Sequence, residues 1–298
     1  MTEPISVTDG VVSLRDGSSS WARIIVRGQA AGTVSIDAGP NGPGAGAAAV
    51  TWQLMNDPAG EHAFRVVQLV LHHLATRTTV HTACVQLADR EERSRAVASQ
   101  AGFTDAGRIG QRWLRRAVPP VTYTDGVVSI RRQRVEDIDA HLAGIDDAEI
   151  DWLWEPGSRS LWEAMTPEEQ RARNLAYLRG VHDSFGSGPK WTFSADGADA
   201  DYIAYVDCDL ANNHVPAGQA NVSYTCHPPY RGHGNVSRAV RLITRFLGEH
   251  TGVAEAHIIV DEQNAASLRV AHAVGAAETE RFRNEHGRTM IRHVLLVR

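Results

Sequence analysis

The octapeptide Thr-Asp-Gly-Val-Val-Ser-Leu-Arg at residues 8–15 returns as Thr-Asp-Gly-Val-Val-Ser-Ile-Arg at residues 124–131, a spacing of 116 positions with one leucine replaced by isoleucine. Such a repeat constrains the chain to two related halves if further echoes follow in the same order. They do. Ser94, Val97, Ala98 and Gly102 correspond to Ser267, Val270, Ala271 and Gly275 at an offset of 173. Between these anchors each half carries a glycine-containing loop and an amphipathic helix, and Gly60 aligns with Gly234 at an offset of 174. The expected order in each half is first strand (the octapeptide), middle strands, loop, helix, strand, helix, end strands.

The growth of the offset from 116 to 174 places about 58 extra residues in the second half between its first strand and its loop. They fall largely within 136–188, a stretch that reads as helices. There, Thr166-Pro167-Glu168-Glu169 has the form of an N-cap, a proline at the first helical position and acids in the first turn. The first half passes from its octapeptide through 16–20 directly to a strand at 21–28. Pro119 and Pro120 break any element, which sets the expected boundary between domains 1–118 and 119–298. In the second domain, strands are expected at 190–196, 201–210, 219–227, 253–261 and 288–298, and helices at 235–250 and 264–275. The fold class is α+β, each domain a central mixed sheet flanked by helices, with the helical insert in the second only.

Composition narrows the function. Of 298 residues, 43% are hydrophobic and 22% charged, as in a soluble globular protein. No apolar run would span a bilayer, and the first ten residues lack the basic and apolar regions of a signal peptide, so a cytoplasmic location is expected. Cys84, Cys208 and Cys226 suggest neither a disulfide framework nor a metal site, and no metal is expected. A net charge of −5 argues against bulk nucleic-acid binding. Arg108, Arg112, Arg115, Arg116, Arg131, Arg132 and Arg134 nevertheless crowd the middle of the chain, and they read as a solvated basic face.

The stretch 227–240 carries the chemistry. A strand ends at Pro228 and Pro229, and a loop with Gly232 and Gly234 then opens a helix. The first N–H groups of a helix lack internal partners and its dipole favours anions. Two glycines let the backbone approach a phosphate, and Arg231 adds a bidentate cation.

This loop, with Asn264 and Ser267 opening the next helix, resembles the acetyl-CoA-binding core of the GNAT superfamily of acyltransferases, in its RimJ/RimL-like branch. The resemblance covers 124–298 well and the first half faintly. It implies acyl transfer from a CoA thioester to an amine, with no metal. The implied donor site comprises Arg231, Gly232, His233, Gly234, Asn235, Val236, Ser237 and Asn264, the pantetheine arm lying beside Thr225 and Cys226. Val236 departs from the family's small last residue. In the first half Asp57 stands at the position of Arg231, Pro58 at Gly232 and Glu61 at Asn235. A carboxylate there opposes a pyrophosphate, so this half reads as a degenerate copy without a cofactor site.

The family's usual proton carriers are missing: Ala271 holds the place of its tyrosine and Asn221 that of its glutamate. Ser267 remains as a proton donor to the thiolate, with Asn264 beside it. Asp207 and Asp209, on one strand face, offer a base. His214, His227 and His233 lie near the expected cleft. The insert should meet the acceptor. Its acids Asp146, Asp147, Glu149, Asp151 and Glu155, with Trp152, Trp154 and Trp162, suit a cationic amine.

The expected function is therefore N-acetyltransfer from acetyl-CoA or another acyl-CoA to a small cationic amine, in secondary metabolism or antibiotic resistance, by a monomer or homodimer. Alternatives are transfer from a non-CoA carrier such as acyl-tRNA or a carrier protein, acetylation of protein N-termini, and a non-catalytic acyl-CoA sensor.

Overall fold

The computed structural model describes residues 4–38, 43, 45–55, 57, 59–87, 91–105, 112–118, 120–154, 157–185 and 189–297. Two compact units are distinguished. The first is Met1–Val121 with Gly186–Pro189 and Leu247–Val253; the second is Thr122–Phe185, Lys190–Phe246 and Ala254–Arg298.

In the first unit the strands are β1 (Val7–Thr8), β2 (Val12–Arg15), β3 (Trp21–Val26), β4 (Gln29–Asp37), β5 (Ala47–Leu54), β6 (Thr82–Leu87), β7 (Thr104–Asp105) and β8 (Arg112–Ala117). Helix α1 (Glu61–Arg77) joins β5 to β6, and α2 (Glu92–Gln100) follows β6. The sheet order is β1-β2-β3-β4-β5-β6-β8-β7, antiparallel except for the parallel pair β5/β6. Alternate residues of its strands, among them Val12, Leu14, Ile24, Val34, Ile36 and Val50, are buried with Val66, Val70 and Leu74 of α1. A period of two has met a period of 3.6 across one core.

In the second unit the strands are β9 (Tyr123–Thr124), β10 (Ser129–Arg132), β11 (Lys190–Asp196), β12 (Ala204–Asp209), β13 (Ala220–Cys226), β14 (Glu255–Asp261), β15 (Ala277–Arg283) and β16 (Thr289–Leu296). The helices are α3 (Ile138–Gly144), α4 (Asp147–Leu153), α5 (Ser158–Glu163), α6 (Pro167–Ser184), α7 (Asn235–His250) and α8 (Ala265–Val274). The sheet order is β9-β10-β11-β12-β13-β14-β16-β15, antiparallel except for β13/β14. Strand for strand, the order and directions match those of the first unit. The class is α+β with two mixed sheets. Helices α3 to α6 fill the expected insert, and Thr166 caps α6: its hydroxyl accepts from Glu169 N while Glu169 accepts from Thr166 N at 2.8 Å.

The repeated octapeptide is not one strand, as expected from sequence, but a hairpin. Its first residue ends one short strand and its last residues enter the next, from Val12 in the first copy and from Ser129 in the second, with Asp-Gly at the turn. The bonding is the same in both copies. Asp9 Oδ1 accepts from Val11 N and Val12 N at 3.0 and 2.8 Å; Asp125 Oδ1 accepts from Val127 N and Val128 N at 3.0 and 2.9 Å. Gly10 and Gly126 take φ of 84° and 88°, which glycine adopts without strain. Each aspartate also receives an arginine from the helix that follows the first strand of its unit's parallel pair, α1 after β5 and α7 after β13. Arg65 of α1 reaches Asp9 at 2.8 Å, and Arg238 of α7 reaches Asp125 at 2.7 Å.

The arginines of the middle stretch do not share one solvated face, as had been expected. Arg131 is 6% exposed and binds Asp137 through both terminal nitrogens and Asp196 through Nε at 2.6 Å, fastening the start of the insert to β11. Arg132 donates to the carbonyl of His182, and Arg116 to that of Ala101. Arg108 lies outside the described residues, as do Pro58 and Pro119.

The two Asp–Arg pins differ in depth. Asp9 is fully buried and Arg65 7% exposed, whereas the side chains of Asp125 and Arg238 are 30% and 41% exposed. Replacing one partner of a buried pair strands the other, at a cost of about 3–5 kcal/mol, while an exposed pair contributes under about 1 kcal/mol. Asp9→Ala should therefore lower the urea midpoint of the first unit much more than Asp125→Ala lowers that of the second. Unfolding followed by near-ultraviolet circular dichroism checks this.

Candidate active site

β13 and β14 pair only at Ala220–Ala256 and Asn221–His257, at their beginnings. Beyond that they part. The rest of β13 (Val222 to Cys226) and Ile258 to Asp261 of β14 line a cavity of about 990 Å³. Residues of α4, the loop and first turn of α7, α8 and the segment before β16 complete its wall.

The loop at the start of α7 forms one end of this cavity. Gly232 and Gly234 have φ of 82° and 75°, and a Cβ on either would meet nothing within 4 Å. Among the described residues, no acceptor faces the backbone N–H groups of 232–237, so the helix start keeps its unpaired donors. These donors suit a phosphate group. Gly232, Gly234, Asn235, Val236 and Ser237 all line the cavity, as do Thr225 and Cys226. His233 is exposed and does not line it. Arg231 lies on the wall but is already engaged. Its Nη1 and Nη2 bind the two oxygens of Asp146 at 2.7 and 2.9 Å, and its Nε donates to the carbonyl of Cys226 at 2.8 Å.

The corresponding place in the first unit holds its own anion. Asp57 accepts from Ala63 N at 2.8 Å and His62 N at 3.4 Å, and its side chain is 7% exposed. The carboxylate satisfies two donors of the first turn, at the positions aligned with Val236 and Ser237, which α7 leaves open.

Glu149 faces the same cavity from α4. Asp146 caps that helix by accepting from Glu149 N at 3.0 Å. Glu149 turns inward beside Ile150 and is 5% exposed. The Thr225 hydroxyl donates to Glu149 Oε2 at 3.3 Å and the Tyr205 hydroxyl to Oε1 at 3.4 Å. Burial pushes the carboxyl up to about 7, with the Asp146 charge adding to the rise, while bonds from Thr225, Trp154 and Tyr205 act against it. A carboxylate on a cavity wall that titrates near neutrality is suited to accept a proton. In the sequence, Glu149 was grouped with the substrate-side acids and its distinct position was missed. Its one signal was a place next to Ile150 on the inward side of a short helix.

The other expected residues divide. Asn264 caps α8 through Ser267 N at 3.0 Å, and both line the cavity. The Tyr224 hydroxyl, also on the wall, donates to the carbonyl of Ser267 at 3.2 Å. Asp207 does not line the cavity. It is 3% exposed and held by Ser223 Oγ at 2.6 Å and Lys190 Nζ at 3.4 Å. Asp151, Trp152 and Trp154 line the cavity, whereas Trp162 packs edge-on against Trp154 at 5.2 Å. Glu155 lies outside the described residues. Arg159 binds Asp147 and Asp151 at 2.5 and 2.6 Å, so the acidic cluster carries much of its own counter-charge. His214 lines the cavity. His227 is buried, and burial pulls it down to about 4, which keeps its ring neutral. Cys226 is pushed up to about 11 by burial and stays a thiol.

Among the described residues no helix is long and apolar enough to cross a membrane. No curated protein matches the chain in sequence. Similar solved structures include RimJ of Mycobacterium smegmatis in complex with a CoA disulfide: 17% identity, 57% of this chain and 82% of that one, TM-score 0.46. They also include an acetyltransferase of the GNAT family from Bacillus anthracis (14%, 59% and 98%, 0.46). A third is a spermidine N-acetyltransferase chimera from Vibrio cholerae and a second source (15%, 57% and 96%, 0.43). Residues 128–277, half of the chain, match the acetyltransferase (GNAT) domain, and the chain belongs to that family of acetyltransferases.

Proposed function

We propose that the chain transfers an acetyl group from acetyl-CoA to the primary amine of a small molecule, with Glu149 as the general base. The observation that carries this reading is a buried carboxylate, raised to about 7, on the wall of a cavity that ends at an open helix start. The donor supplies an activated acyl group as a thioester. Its phosphates would meet the N–H groups of residues 232–237 and Arg231, and its arm would follow β13 past Thr225 and Cys226. Glu149 takes the proton that the amine must lose, and Thr225 and Tyr205 orient its two oxygens. Ser267, with Tyr224 bonded to the same turn, supplies a proton to the departing sulfur. On this reading the base that Asn221 cannot supply comes from a different element, α4. Trp152 and Trp154 on the wall support an amine carried on a body that can pack against indole rings.

The first unit is read as a degenerate copy of the second, with domains 1–118 and 119–298. The shared strand order, the twice-built hairpin and its helix arginine support this reading. Asp57, seated where the second unit leaves N–H groups open, supports the loss of a donor site.

Three measurements test these assignments. Glu149→Gln should lower kcat by about 10²–10⁴-fold with coenzyme A affinity unchanged. In the unmodified protein kcat/KM should rise with pH through about 7, because the base works only when deprotonated; the variant should lose that inflection. Arg231→Glu should weaken coenzyme A binding by about a hundredfold in calorimetry. Asp57→Ala should leave that binding intact and cost only the cap of α1, about 1 kcal/mol. Ser267→Ala should lower single-turnover rates by about a hundredfold with little change in donor affinity. If Tyr224→Phe takes that larger loss instead, the proton donor is the tyrosine.

A further inference from the structure

One ion pair joins the loop at the start of α7 to the helix that carries Glu149. Arg231 presents its planar edge to Asp146, and both carboxylate oxygens are used, at 2.7 and 2.9 Å. Its remaining nitrogen is committed to the carbonyl of Cys226. A guanidinium so engaged has no second edge with which to grip another anion in bidentate fashion. A phosphate at this loop must compete with Asp146 for the same cation.

The pair is built for exchange. The Arg231 and Asp146 side chains are 39% and 29% exposed, so either can be resolvated cheaply when the bond opens. The Arg131 pins to Asp137 and Asp196, 8–13% exposed, show the contrasting case of a permanent fastening. Asp146 has a second duty that survives the exchange, because its Oδ1 also caps α4 through Glu149 N. Loss of the arginine would leave α4 capped but would leave a bare negative charge three residues before Glu149. A nearby negative charge makes a carboxylate hold a proton more strongly.

We propose that Asp146 is a positioning residue that keeps Arg231 in reserve, so that a diphosphate-bearing donor draws the arginine off Asp146 and the released carboxylate strengthens Glu149 as proton acceptor. Donor binding and amine deprotonation are then coupled through one side chain. Thr225, Tyr205 and Trp154 bond to Glu149, the tyrosines Tyr177 and Tyr202 also face it, and Asp146 and Arg231 are the charged groups beside it. The inference rests on the reading of residues 231–237 as the donor site and of Glu149 as base.

The test is Asp146→Asn in the full chain, which preserves a cap oxygen and removes the competing charge. Titration calorimetry with coenzyme A should show binding tightened by about fivefold, the scale of a half-exposed ion pair. The kcat at saturating donor should nevertheless fall. Its pH inflection should move to lower pH, because the charge that raised Glu149 is gone. A residue that merely braces the loop would give the opposite sign, since binding would weaken when the brace is cut. Unchanged or weaker binding overturns the proposal. Asp146→Ser, also a cap without charge, carries the same expectation should the asparagine variant fold poorly. An unmodified protein that binds no coenzyme A would sink the donor-site reading, and the coupling with it. Binding that tightens in a protein whose Glu149→Gln form keeps full activity would remove the base and overturn the coupling.

Discussion

Everything at the candidate site depends on two parallel strands that part after two residue pairs. A parallel ladder satisfies the facing edges of both strands; where it stops, those edges and the side chains beside them are released. In the second unit the opening between β13 and β14 receives α4 from the insert and α8 from the sequence that follows. The β5/β6 pair of the first unit stops as well, after Ala49–Cys84, but among the described residues no insert helix precedes it there. The same strand geometry therefore serves different ends according to what is placed beside the gap.

The second recurrent device is an aspartate at a hairpin turn. It caps two N–H groups of its own turn and receives an arginine from the helix that follows the diverging strand. This ties the first hairpin of each unit to the helix that follows its diverging strand, in the second unit the helix whose first turn lines the cavity. Local turn chemistry and long-range position are settled by one carboxylate. A single substitution at Asp9 or Asp125 thus acts on two levels of structure at once.

Much of the fold was legible because strand alternation and helix periodicity are local signals. The spans of β11, β13, α7 and α8 follow their apolar patterns within a residue or two, and Val236, Val240, Ile243 and Leu247 of α7 are all buried. The octapeptide was misread because Asp-Gly sits inside a run of β-forming residues. The run suggested continuity, while the glycine's positive φ turns the chain. Arg131 differs for another reason: of its partners Asp137 lies six residues on and Asp196 65 residues on, and only folding brings both to one guanidinium and makes a basic residue internal. The loop at 231–237 could be read from its glycines and the helix after it. Glu149 could not, because its role comes from burial against Thr225 and Tyr205, which no spacing within α4 encodes.

The carboxylate of Asp57 has one more implication. Tethered a few residues from the helix it caps, it competes with any dissolved anion at an effective concentration of at least millimolar. It does not diffuse away between encounters, and it brings no cost of immobilising a separate molecule. A dissolved anion well below that concentration would therefore find the N–H groups of His62 and Ala63 already taken. The donors at the start of α7 have no such tethered competitor among the described residues. Two helix starts of one chain, alike in their approach from a glycine, differ as an open socket differs from a plugged one.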